Sequence, residues 1–168
     1  MLSVGFIGVG KMGRGMCENI IKKGYTTTVY DTDSGALVQF KDGATLASSS
    51  LEVFLDSDVI FLSLPNSDVV ESIVGEFLQE DFTGKTIVDV STSYPESTKA
   101  LHAKCTAEGG QFVDAPLLGS PADTAAGTAP CMISGDREAV DHVWDIISSY
   151  ASPIDNMGPI GSAHTVKI

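Results

Sequence analysis

Short apolar runs alternate with amphipathic stretches almost from one end of the chain to the other. The runs cover residues 2–7, 26–31, 58–64, 86–90, 111–114, 130–134 and 152–156. Several are continuous rather than alternating, as in Val59-Ile60-Phe61-Leu62. A strand apolar at every position is buried on both faces, as in a parallel sheet covered by helices. Between the first two runs, Met12, Met16 and Ile20 recur every four residues, with Cys17 and Ile21 beside them. That spacing lays one apolar stripe along a helix. Lys22 and Lys23 then stand where the helix dipole favours cations, and Gly24 can close the helix. Further helix starts are signalled at Ser49–Glu52, at Ser67–Val70, at Pro95 and at Asp136, the last followed by Val143, Trp144 and Ile147 at helical spacing. Strands alternating with helices predict an α/β fold: a doubly wound, mostly parallel sheet with right-handed crossovers and helices on both faces.

Hydrophobic residues are 43% of the 168, enough for one core and too many for a disordered chain. Lys and Arg number 10 against 22 Asp and Glu, a net charge of −12. This balance argues against nucleic acid and against an anionic membrane surface as partners, since both need a basic face. Any anionic ligand must be held by local groups against the overall field. Cys17, Cys105 and Cys131 have no close spacing, and no CxxC pair or histidine cluster suggests a metal. Free thiols point to a reducing, intracellular compartment, the cytoplasm. The chain shows no basic leader followed by an apolar segment, and no run nears the ~18 apolar residues of a membrane span.

One motif carries chemistry. The first apolar run enters Gly8-x-Gly10-x-x-Gly13 directly, and the striped helix follows. A second strand ends at Asp31, 21 residues after Gly10, near the interval of about 20 expected of a dinucleotide site. In that reading Gly8 permits the tight turn. Gly10 lets a pyrophosphate approach the backbone, and Gly13 lets helix and strand pack closely. The anion rests on the unpaired N–H groups of the helix start. Asp31 would accept hydrogen bonds from a ribose, and its charge would repel a 2′-phosphate. Thr32, Asp33 and Ser34 follow with no cation before Lys41. NAD is therefore expected rather than NADP. Two later strand ends, Ser63-Leu64-Pro65-Asn66 and Asp89-Val90-Ser91-Thr92-Ser93, should border the same crevice, although either is also what a polar loop or helix cap looks like.

Gly8-Val9-Gly10-Lys11-Met12-Gly13-x-x-Met16-x-x-Asn19 resembles the opening signature of the β-hydroxyacid dehydrogenases, the 3-hydroxyisobutyrate dehydrogenase-like family. The similarity recurs at Leu64-Pro65, at Asp89-Val90-Ser91-Thr92 and at Asp114-Ala115-Pro116 with Gly119 and Gly127-Thr128. It appears once more at Gly158-x-x-Gly161 with Lys167. The motifs occur in family order over essentially the whole chain.

The resemblance implies a Rossmann-type dinucleotide-binding domain over residues 1–160, with residues 161–168 the start of a truncated all-helical domain. It implies reversible hydride transfer between NAD(P) and a small 3-hydroxy acid or aldehyde acid, and a homo-oligomer for the full-length protein. Lys167 matches the catalytic lysine. Gly8 to Gly13, Asp31, Leu64, Pro65, Asn66 and Thr92 match cofactor-binding positions. Ser91, Thr92, Leu118, Gly119 and Ser120 match the stretches beside the substrate.

There are departures from the family pattern. Leu118 stands where the family has a serine that binds the substrate carboxylate, and leucine has no donor. The N–H groups of Gly119 and Ser120, or the Ser120 hydroxyl, are the candidate replacements. Pro130 follows Ala129 where the family is usually aliphatic, and proline removes a ladder hydrogen bond. His102 and His142 read as surface residues of helices, and Cys131 as core. His164, three residues before Lys167, could approach the crevice, the less favoured of its two readings. Two competing readings remain: a non-catalytic NAD(P)-binding or interaction module, and a reductase acting on another group such as an imine.

Overall fold

The computed structural model describes all 168 residues. The chain opens on strand β1 (Val4–Ile7) and helix α1 (Lys11–Lys22), then β2 (Thr27–Tyr30) and α2 (Ser34–Leu37). A single 3-10 turn, Val38–Phe40, leads to β3 (Thr45–Leu46) and α3 (Ser50–Leu55). The β–α alternation continues with β4 (Val59–Leu62), α4 (Ser67–Phe77), β5 (Thr86–Asp89) and α5 (Pro95–Ala107). It closes with β6 (Gln111–Asp114), α6 (Pro121–Ala126), β7 (Ala129–Ser134), α7 (Arg137–Ile147), β8 (Ala151–Gly158) and α8 (Ser162–Lys167).

All eight strands form one sheet in the order β3-β2-β1-β4-β5-β6-β7-β8. Every pairing is parallel except β6 with β7. Strand order reverses at β1, which lies between β2 and β4, so the crevice for a ligand opens at the carboxyl end of β1.

The continuous apolar runs have the expected cause. Along β4, Val59 and Phe61 enter one core while Ile60 and Leu62 enter the other. The larger core joins β1, β2 and β4 to α1 and α7, and Phe6 stacks on Phe61 with ring centroids 5.7 Å apart. The smaller lies under α3, α4 and α5, where Phe54 stacks on Phe77. Each fully buried Phe, Ile or Leu contributes about 1.5–3 kcal/mol relative to exposure. In α1, Met16, Cys17 and Ile20 are buried, as the stripe predicts.

Three elements escape the apolar pattern. β3 has two residues, both exposed, and α2 is a single turn capped by Asp33. α6 carries no apolar stripe, but it does carry Pro121 in its first turn and a reciprocal cap between Ser120 and Asp123. Pro130 interrupts β7 as expected: its register with β8 shifts between Ala129 and Cys131, and the Pro130 carbonyl accepts the Leu118 N–H at 2.8 Å. The Asp136 carboxylate turns away from α7 to His102 Nε2, 2.8 Å distant, so His102 is half-buried and paired rather than free on the surface. His142 is exposed and Cys131 is core. α8 packs on α5, β7 and β8 and buries Ala163 and His164 completely. No helix is long and apolar enough to cross a membrane.

Candidate active site

β1 delivers the chain into Gly8, whose φ is +96°, and a Cβ there would overlap the Ser63 carbonyl oxygen. A Cβ on Gly13 would likewise overlap the carbonyl oxygen of Gly8. Gly10 differs: nothing lies within 4 Å of where its Cβ would be, so the backbone there faces open space. No side chain caps α1, and the N–H groups of Lys11, Met12 and Gly13 have no acceptor in the chain. An open cradle beside three orphan donors at the positive end of a helix suits a pyrophosphate. This local field acts despite the net charge of −12.

Asp31 closes the same site from β2. One carboxylate oxygen accepts the Val9 N–H at 2.8 Å, and the other accepts the Asp33 N–H at 2.8 Å. The glycine loop and the carboxylate are thereby held together, with acceptor capacity left on both oxygens. A cleft of about 620 Å³ runs between them, lined also by Leu64, Pro65, Val69 and Ile73. Gly8, Gly10, Lys11, Met12 and Gly13 all border it. Val9 does not; its side chain is in the core and only its N–H takes part. Tyr30, Val69 and Ile73 border it without a motif to announce them. Val69 and Ile73 could have been found as one face of α4, four residues apart.

Asn66 is the helix cap that a polar loop also suggests: its Oδ1 accepts the Val69 N–H at 3.1 Å. Ser91 is buried. Its hydroxyl donates to the Leu62 carbonyl at 3.2 Å and accepts the Leu64 N–H at 2.9 Å, tying β5 to β4 beneath the cleft. Thr92 is exposed at the same strand end.

Lys167 Nζ donates to the Leu117 carbonyl at 2.7 Å, which brings the lysine onto the Asp114–Ser120 loop. In that loop Leu117 is buried, while Leu118 is 39% exposed. Of the three candidate donors, two are occupied: one Asp123 carboxylate oxygen takes the Ser120 N–H at 2.7 Å and its hydroxyl at 2.8 Å. These bonds hold the Asp123 carboxyl below the usual aspartate range. Only the Gly119 N–H has no acceptor in the chain.

Asp89 and Asp114 stand side by side at the ends of β5 and β6, both fully buried. Burial pushes the Asp89 carboxyl up, against the opposing pull of His164, Ser93 and Ser91.

The pattern of the NAD binding domain of 6-phosphogluconate dehydrogenase matches residues 3–158. The chain belongs to that family. As an NAD-binding domain, it is 33% identical over 99% of its length to 2-(hydroxymethyl)glutarate dehydrogenase of Eubacterium barkeri, and covers 57% of it. It is 32% identical over its whole length to the NAD-dependent L-serine dehydrogenase of Pseudomonas aeruginosa, covering 58% of that protein. The domain thus spans a little over half of the curated relatives it matches. A solved structure of Mycobacterium tuberculosis 3-hydroxyisobutyrate dehydrogenase with L-serine superposes with a TM-score of 0.94 over 99% of this chain and 58% of that one, at 24% identity. The Rossmann-type fold and the hydroxyacid-dehydrogenase kinship expected from the motifs are both borne out. Gly10, the orphan donors of α1 and the Asp31 carboxylate all border the one cleft.

Proposed function

We propose that this chain is the cofactor half of an oxidoreductase that moves a hydride between NAD and a small 3-hydroxy acid or the corresponding aldehyde acid. The observation that carries the proposal is the Val9–Asp31 hydrogen bond, which joins the glycine loop and a ribose-binding carboxylate in one cleft. The N–H groups of Lys11, Met12 and Gly13 would hold the pyrophosphate. The free lone pairs of Asp31 would take the ribose hydroxyls and repel a 2′-phosphate, favouring NAD over NADP. Leu64, Val69 and Ile73 offer an apolar wall to a flat base. When bound, the nicotinamide supplies the hydride chemistry. Lys167 keeps two N–H bonds beyond the one to Leu117, enough to steady charge developing on a substrate oxygen and to donate its proton.

Residues 161–168 are read as the opening of a following helical domain, which would complete the substrate site and the contacts of a homo-oligomer. Three free, buried cysteines suit a reducing, intracellular compartment. The occupied donors of Ser120 favour one second reading, a domain that binds NAD without catalysis.

Calorimetric titration of the chain with NADH and NADPH at one salt concentration tests the cofactor reading: NADH should bind more tightly, and equal or absent binding would end it. In the longer protein, Lys167→Met should abolish turnover while NADH still binds. A longer protein that binds NADH and turns over no hydroxy acid would favour the second reading.

A further inference from the structure

Below the carboxyl ends of β5 and β6 lies a buried polar cluster that the proposed chemistry leaves unused: Asp89, Asp114, Ser134 and His164, each fully buried. Asp114 accepts the Gly161 N–H and the Ser134 hydroxyl on one oxygen, at 3.0 and 2.6 Å, and the His164 N–H on the other at 3.0 Å. Ser134 Oγ accepts the Ala163 N–H at 3.0 Å. Asp89 accepts the Ser91 N–H at 2.9 Å and the Ser93 hydroxyl at 2.7 Å.

The His164 ring lies between the two carboxylates, its nitrogens 3.9 Å from Asp89 and 3.8 Å from Asp114. Its Nε2 is 2.9 Å from the Ser91 carbonyl and its Nδ1 2.7 Å from the Thr98 hydroxyl. A carbonyl only accepts, so Nε2 carries a hydrogen, and this assignment follows from the partner. Lys99 of α5 reaches this corner, its side chain passing over Gly161.

We infer that His164 is a positioning residue: its ring locks the Lys167-bearing helix to the Ser91–Thr92 turn beside the cleft. α8 has six residues and no side-chain cap. A helix that short has almost no stability of its own, so tertiary contacts set its orientation. The Asp114 and Ser134 bonds pin its first turn to the sheet. The His164 ring, held at both nitrogens, fixes its rotation, and Lys167 lies one turn further on. The consequence for catalysis rests on the reading of Lys167 as proton donor; the positioning does not.

The test uses the 168-residue chain and NMR. The readouts are the Lys167 ε-methylene shift and amide exchange at residues 165–168, referenced to the amides of β1 and β4. His164→Leu and Thr98→Val should raise exchange in α8 by about tenfold, the scale of one lost hydrogen bond. Both should move the ε-methylene signal to that of a free lysine. His164→Gln, which keeps a donor and an acceptor, should hold both readouts near wild type, a rescue that a merely space-filling role would not require. If His164→Leu does not fold, Thr98→Val decides. Unmoved readouts in Thr98→Val, or a His164→Gln as loose as His164→Leu, would overturn the inference. Proton donation is judged separately, by turnover of Lys167→Met in the longer protein.

Discussion

The Asp31 carboxylate holds the Val9 N–H at 2.8 Å, so the residue that would receive the ribose also shapes the loop that would receive the pyrophosphate. Asp31→Ala should therefore weaken NADH binding roughly ten- to a hundredfold, the scale of a lost charge-assisted hydrogen bond. NADPH should lose less, because the repelling charge goes as well. The two affinities, measured side by side, should converge; an undiminished preference for NADH would mean that another group sets it.

Gly8 combines a φ of +96° with backbone contact to Ser63. Gly8→Ala should cost at least about 2 kcal/mol, since the left-handed conformation and the overlap both oppose a Cβ. Gly10→Ala meets open space and should leave the urea midpoint nearly unchanged while weakening NADH. A Gly8→Ala midpoint equal to wild type would show that the loop relaxes freely.

The Ser120–Asp123 cap should respond to acid. Hydrogen bonds from Ser120 depress the Asp123 carboxyl below its ordinary 3.8. A depressed carboxyl stabilises the fold above its unfolded-state value, and that contribution is lost as pH falls through the folded-state value. The amides of Ser120 and Asp123 should shift together below about pH 3.8, a value taken from the unperturbed aspartate. Asp123→Ala should remove this titration and free the Ser120 donors. With Leu118→Ser it should raise kcat/KM for carboxylate-bearing substrates in the longer protein.

All three cysteines should resist thiol reagents in the native state. Cys17, Cys105 and Cys131 are buried, and burial pushes the thiols of Cys105 and Cys131 up to about 12. Labelling should appear only with unfolding. Because the unfolded thiols ionise near their ordinary 9.0, stability should fall as pH rises past that value. Stoichiometric labelling of folded protein near neutral pH would contradict the burial.

The β–α alternation, the glycine loop and the tight interval to Asp31 are local signals, and each was legible because periodicity and chain spacing carry it. Val59-Ile60-Phe61-Leu62 could only serve a strand covered on both sides, and the two cores bear this out. Even the Ser120–Asp123 cap is local: a serine, a proline and an aspartate three residues later announce it, although it reads from sequence as a set of free donors.

What spacing could not show is which polar groups satisfy each other across the fold. His164 meets Ser91 across 73 residues, and its backbone meets Asp114 across 50. The hydroxyl of Ser91 ties two strands together and Asn66 caps a helix, though both resemble ligand-binding positions in the chain. The physical reason is the price of burial: an unpaired polar group in the interior costs so much that the assembled sheet, rather than any motif, determines which side chains remain free for a ligand.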